Sequence, residues 1–120
     1  SHILTVQNLT IDQLAHKAIY KDTDLGLAKR EYEVLLYFAT HPNTEITFAD
    51  LGTALFGTYQ ESDRSSVMVN VSRLRKKMTI DYELENMIET IEERKPRKLS
   101  FSGFFVLLLW YYIQNSIYLL

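Results

Sequence analysis

The sequence predicts an α+β domain: a small N-terminal antiparallel sheet, three helices and a C-terminal β-hairpin, with an apolar tail beyond it. Three observations predict this. Residues 3–27 break into short runs rich in β-branched and aromatic side chains, separated by polar pairs. Three stretches between residues 28 and 78 then repeat their apolar residues at helical period. After them, apolar and polar residues return to strand-like runs on either side of a cluster of cations.

The strand runs are Ile3-Leu4-Thr5-Val6, Leu9-Thr10-Ile11-Asp12, Lys17-Ala18-Ile19-Tyr20 and Thr23 to Leu27. Gln7-Asn8, Gln13 to His16 and Lys21-Asp22 fall between them as turns. His16 beside a turn is expected to be a solvated histidine rather than a ligand.

The first helix is expected over residues 28–40, with Tyr32, Leu35, Leu36 and Ala39 on one face and Lys29, Arg30 and Glu33 elsewhere. Tyr37 and Phe38 widen its apolar surface. His41-Pro42-Asn43 stops it, because a residue before proline avoids the helical region, and His41 serves as a cation at the helix end. A short strand at Glu45 to Thr47 leads into a second helix, Phe48 to Phe56. Thr47 caps it, Asp50 stands where the acid of a capping box stands, and Gly57 ends it. Leu51, Leu55 and Phe56 make its inner side.

Thr58 to Asp63 is a polar loop, and Ser65 to Met78 the third helix. Val67, Val71, Leu74 and Met78 form its inner stripe. Ser66, Val69, Asn70, Arg73 and Lys77 fall on another face. From 64 to 78 every charge is positive: Arg64, Arg73, Arg75, Lys76 and Lys77. A helix with one apolar stripe and an uncompensated basic face suits a polyanion, and Asn and Arg have the forks that match adenine and guanine edges. Two readings stand side by side on this segment alone, a DNA recognition helix and a surface helix with a solvated basic side. With the preceding helix it makes a helix-turn-helix-like unit with a long turn.

After an acidic stretch from Asp81 to Glu93, Asn86 to Glu92 reads as a strand, Arg94 to Lys98 as a hairpin tip and Leu99 to Phe101 as the returning strand. Arg94, Lys95, Arg97 and Lys98 would then contact phosphates or the minor groove beside the helix; an exposed charged turn is the alternative.

Several strings resemble the OmpR/PhoB winged-helix family of bacterial transcription regulators. They are Leu27 with Glu31 and Leu35-Leu36; His41-Pro42-Asn43 with Ile46; Leu51 to Gly57; Val67, Val69 and Val71 with Ser72 to Lys77; and Ile88 to Ile91. The resemblance implies a winged helix-turn-helix and DNA contacts by Ser66, Val69, Asn70, Arg73 and Arg75, with Arg64, Lys76 and Lys77 added by charge. It implies double-stranded promoter DNA bound as a homodimer on direct repeats, RNA polymerase as a further partner, and service as the effector domain of a two-component response regulator. Ala28 stands where the family usually has a capping threonine. Met68 replaces a common acid, and EERKPRKLSFSG replaces the family's glycine-containing wing tip.

No segment has the acidic pocket of a receiver, so an isolated effector domain is expected, or regulation by another route. The expected division is a winged-helix domain over 3–101 and an apolar, helical tail over 102–120.

That tail carries ten consecutive apolar residues from Phe104 to Ile113. A helix over 101–120 would span ~30 Å, barely a bilayer core, with RKPRK on its N-terminal side. A helix packed on the domain or on a second copy is the first expectation. A membrane anchor like that of ToxR-like regulators is the second, and a tail of altered sequence the third. The net charge of −2 argues against a general polyanion binder. The chain has no cysteine, which fits a reducing compartment, and no signal-peptide pattern at its start, so a cytoplasmic protein is expected. No Gly-rich phosphate loop or metal spacing proposes an enzyme or a cofactor. A protein-interaction module is the remaining rival, and the Arg73 to Lys77 face favours nucleic acid over it.

Overall fold

The computed structural model describes residues 2–91 and 116–119. The chain opens with a four-stranded antiparallel meander: β1 (Ile3–Val6), β2 (Leu9–Asp12), β3 (Lys17–Tyr20) and β4 (Thr23–Asp24), in that spatial order. Its turns lie at the expected polar pairs. At Lys21-Asp22 both residues have positive φ, 53° and 94°, the geometry that matches a two-residue loop to the strand twist. At the β2–β3 turn the Asp12 carboxylate accepts the N–H groups of Leu14 and Ala15, both at 3.0 Å. Leu9 faces Tyr20 and Ile11 faces Ala18 across the β2–β3 pair, and all four side chains are buried.

Helix α1 (Lys29–Thr40) buries Tyr32, Val34, Leu35 and Phe38. Leu36 and Ala39, expected on the inner face, are half-buried at its margin, and Val34 and Phe38 lie deeper. Ala28 offers no side-chain cap, yet its N–H donates to Glu31 Oε1 at 2.9 Å, so half of a capping box survives. His41 closes the helix by stacking on Tyr37, ring centroids 4.1 Å apart, with Nδ1 2.8 Å from the Tyr37 carbonyl.

β5 (Ile46–Thr47) runs directly into α2 (Phe48–Phe56). The Thr47 hydroxyl accepts the Asp50 N–H and the Asp50 carboxylate accepts the Thr47 N–H, both at 3.0 Å. Gly57 at φ 85° ends the helix in the left-handed conformation. Leu51 and Leu55 point inward. Phe56 does not: it is exposed, and the Arg30 guanidinium lies 5.1 Å from its ring centre.

A 3₁₀ turn, Glu61–Asp63, precedes α3 (Arg64–Lys77), and a short α4 (Tyr82–Glu85) follows. Val67, Val71, Leu74 and Met78 are fully buried against α1 and α2, as their spacing predicts. Each such side chain contributes roughly 1.5–3 kcal/mol by leaving water. The stretch between α3 and the last strands is pinned to the meander. The Tyr20 hydroxyl lies 2.5 Å from Glu83 and 3.1 Å from Asp81, and Asn8 donates to Glu83 at 2.9 Å.

β6 (Ile88–Ile91) pairs antiparallel with β7 (Ser116–Leu119), which also pairs with β5, giving a three-stranded sheet in the order β5-β7-β6. Among the described residues the strand paired with β6 is Ser116–Leu119. This corrects one expectation: at 116–119 the tail is strand rather than helix. Ser-Ile-Tyr-Leu has β-formers at its centre, and a partner on each side satisfies its backbone groups in a way a terminal helical turn does not. The expected hairpin tip at Arg94 to Lys98, the strand at 99–101 and the tail over 102–115 lie outside the described residues. Among the described residues no helix is long and apolar enough to cross a membrane.

Candidate nucleic-acid interface

The inner stripe of α3 fixes which residues face outward. With Val67, Val71 and Leu74 sealed below, Ser65, Ser66, Val69, Arg73 and Lys76 are exposed, and Met68, Asn70 and Ser72 are half-buried beside them. Val69 is 44% exposed although apolar. Ser65, Met68, Val69, Ser72 and Arg73 line a concavity of about 320 Å³ on this side of the helix. The exposed ridge thus offers hydroxyls at its first turn, an apolar contact in its middle and a guanidinium one turn further on. No acidic residue occurs between Arg64 and Lys77.

Asn70 is arranged differently from the expectation. Its amide nitrogen donates to the Ser66 carbonyl at 2.9 Å, one turn back on its own helix. Pairing with an adenine edge needs that side chain to turn outward. Arg64 sits at the start of the helix with its guanidinium 5.0 Å from the Phe48 ring centre, bridging α3 to the beginning of α2.

The other cations separate. Arg73 and Lys76 are exposed, while Arg75 is half-buried on the side toward α4. Burial pulls the Arg75 guanidinium below its usual value, and the charge of Glu85 opposes that shift. Lys77 turns away from the ridge: its ammonium lies 2.7 Å from Glu31 Oε1 and 2.9 Å from the Gly26 carbonyl. Glu31 is 3% exposed, the one charged side chain in the core among the described residues. Burial pushes its carboxyl up, but hydrogen bonds from Lys77 and the Ala28 N–H outweigh that and hold it below the usual carboxylate range. The charge of Arg73 acts on Glu31 in the same direction.

The geometry therefore brings Ser66, Val69, Arg73 and Lys76 onto one exposed surface. Arg64 lies at its head, Arg75 on its flank, and Lys77 below its far end. Arg94, Lys95 and Arg97 lie outside the described residues. Sequence reasoning missed Glu31 as a buried acid, because Arg30 and Glu33 beside it suggest a solvated face. The one available signal was its place three residues after Ala28, where a capping-box acid stands.

The family model described as "Transcriptional regulatory protein, C terminal" matches residues 22–94. The chain is 29% identical over 90 residues to the transcriptional regulatory protein SrrA of Staphylococcus aureus, covering 74% of this chain and 37% of that relative. The chain thus spans just over a third of the length of the curated relatives it matches. Among solved structures it is similar to the Klebsiella pneumoniae RstA DNA-binding domain in complex with RstA box. The TM-score is 0.68 at 25% identity, over 78% of this chain and 92% of that one. The fold is also that of the DNA-binding domain of CpxR from E. coli, with TM-score 0.67 at 20% identity over 78% of this chain and 92% of that one. The α+β core, the buried stripe of α3 and the matched residues agree: the chain belongs to the family of C-terminal domains of transcriptional regulatory proteins, with a winged-helix fold of the OmpR/PhoB type.

Proposed function

We propose that this domain is a sequence-specific DNA-binding transcription regulator, the effector part of a two-component response regulator, with α3 entering the major groove of promoter DNA. The observation that carries the reading is the outward ridge of α3. It presents Val69 and Arg73 one turn apart with Lys76 beside them, on a helix without a single acid. Arginine pairs bidentately with guanine, and valine touches a thymine methyl. Lys76, off that line, holds a phosphate. Ser66 and Arg64 meet the backbone near the start of the helix, and Asn70 joins the base contacts once its amide turns outward. Arg75, half-buried toward α4, supports the flank. Arg94, Lys95 and Arg97 are proposed as cations of the wing.

A domain that acts on promoter DNA in a bacterium works in the cytoplasm. Binding as a homodimer on direct repeats, and contact with RNA polymerase, follow as proposals from the same family reading. No catalytic role is proposed for any residue.

The test is binding of the full chain to a varied pool of duplexes across a range of salt concentrations. Log affinity should fall linearly with log salt, by roughly 0.9 for each phosphate contact, and one subset of sequences should be enriched. Binding that ignores salt, or no binding at low salt, would overturn the proposal.

A further inference from the structure

Lys77 is the last residue of the basic helix, and its ammonium contacts a carboxylate. Two of its three donors are used, one by the Glu31 carboxylate and one by the Gly26 carbonyl. The Glu31 side chain is 4% exposed, against 38% for that of Lys77. For Lys77 to swing onto a phosphate, it would have to leave a carboxylate that is almost wholly buried, and a buried charge stripped of its partner is strongly destabilising. Glu31 itself is held in place by the Ala28 N–H at 2.9 Å, so it does not follow the lysine outward. A lysine paired in this way brings no net charge to the DNA and releases no counterion.

We propose that Glu31 is a positioning residue for DNA binding: it holds Lys77 away from the duplex and so limits how many phosphates this domain neutralises. The inference rests on the DNA-binding reading of α3. Its consequence concerns specificity. Phosphate contacts supply nearly all of the affinity for random sequence, whereas base contacts supply the discrimination. One more cation free to reach the backbone at the end of the helix would raise binding to every sequence and dilute the choice. Glu31 removes it without shortening the basic run that Arg73, Arg75 and Lys76 need.

The experiment is the salt dependence of the full chain on a mixed-sequence duplex, for the wild type, Glu31→Gln, Lys77→Gln and the double variant. Glutamine keeps an acceptor for the Ala28 N–H but no charge for Lys77. Glu31→Gln should therefore steepen the slope of log affinity against log salt by about 0.9, the share of one additional phosphate, and strengthen binding to random sequence. Lys77→Gln should leave the slope at the wild-type value, and the double variant should return to it. A merely structural role for Glu31 would lower stability without steepening the slope.

An unchanged slope in Glu31→Gln overturns the proposal, and so does a slope shallower by about 0.9 in Lys77→Gln. If Glu31→Gln does not fold, the Lys77→Gln arm decides by itself, an unchanged slope supporting the proposal. A wild type that binds no duplex removes the DNA-binding reading itself, an outcome distinct from a wild type that binds while Glu31→Gln changes nothing.

Discussion

Helices α2 and α3 pack against each other and are held in opposite ways. α2 carries its own boundaries: a reciprocal capping box between Thr47 and Asp50 starts it, and Gly57 at φ 85° ends it. α3 has no side-chain cap. It continues out of a 3₁₀ turn, and Asp63, at the cap position, accepts the Gln60 N–H with its carboxylate at 2.9 Å instead. What secures α3 is lateral: three fully buried residues along one stripe, Met78 just past its end, and the Lys77–Glu31 pair. A helix stabilised from below has no need of a self-paired outer face, so that face is left to cations, hydroxyls and the exposed Val69.

The comparison breaks most sharply at the stripe. Leu74→Ala should cost ~2–5 kcal/mol of folding stability, by lost burial and an unfilled cavity, in a helix with no side-chain cap to fall back on. Urea unfolding followed by circular dichroism measures it. A loss below ~1 kcal/mol would mean that α3 depends on local signals after all.

The outer face should respond in the opposite sense. Arg73→Ala should cost ~1–3 kcal/mol of binding on the preferred site and relax the choice at one base position, with little change in stability. Lys76→Ala should weaken all sequences alike and make the salt slope shallower by ~1. The competing account of Arg73 is that it serves an acid of its own domain. Asp63 is occupied by Gln60, but the charge of Arg73 does act on Glu31. If Arg73→Ala lowers stability and leaves the ratio of specific to random binding intact, that account wins.

The same contrast explains what could be read from the sequence. Features fixed by local spacing were legible: Thr47 with Asp50, Gly57, the stop at His41-Pro42, the polar turns of the meander, and the stripe Val67, Val71, Leu74, Met78. Features fixed by a distant partner were not. Glu31 looks like a surface acid until Lys77, 46 residues later, is seen beside it. Phe56 reads as inner by its spacing, yet its ring lies outside under Arg30. Nothing near Ser116 says that it will pair with both β5 and β6. Of the candidate site, the outward place of Ser66, Val69 and Arg73 was legible because it is the complement of the stripe; Lys76, which the sequence reading left off that face, is exposed beside them. The separate fates of Arg75 and Lys77 depend on α4 and α1, and periodicity carries no information about those.

Local capping gives a smaller test. Thr47→Ala removes the acceptor of the Asp50 N–H and should cost ~1 kcal/mol. At α1 the same chemistry runs backwards. Ala28 occupies the cap position with extended backbone, φ −72° and ψ 166°, and Glu31 already accepts its N–H. Ala28→Thr completes the box and should add ~0.5–1 kcal/mol. Thermal melts of the two variants should move in opposite directions; equal shifts, or none at Thr47→Ala, would show that the caps are not what secures these helices.

The smallest effect lies at the extremes of pH, where the segment after α3 is tied to the meander by charge. Glu83 is held below the usual carboxylate range by Tyr20 and then Asn8, and Asp81 by the Glu83 N–H and, more weakly, Tyr20. Glu31 is lowered as well, burial notwithstanding. A carboxyl whose folded pKa is depressed contributes stability that is present above its unfolded pKa, near 4, and is lost as pH falls through the folded value. Stability should therefore fall below about pH 4. Tyr20 works at the other end: burial first, then Glu83 and Asp81, push its phenol above the ordinary value of 10.0. Above about pH 10 the unfolded chain releases that proton while the folded chain keeps it, so stability falls there too. Tyr20→Phe should flatten both limbs in part. The acid limb keeps the shares of Glu31 and Asp12, of Asp81 through the Glu83 N–H and of Glu83 through Asn8. The alkaline limb keeps that of Tyr32, which burial also raises. Melting temperatures of wild type and variant from pH 2 to 11 test this, and two profiles that differ only by a constant offset would remove the Tyr20 cluster from the account of how the end of α3 is held.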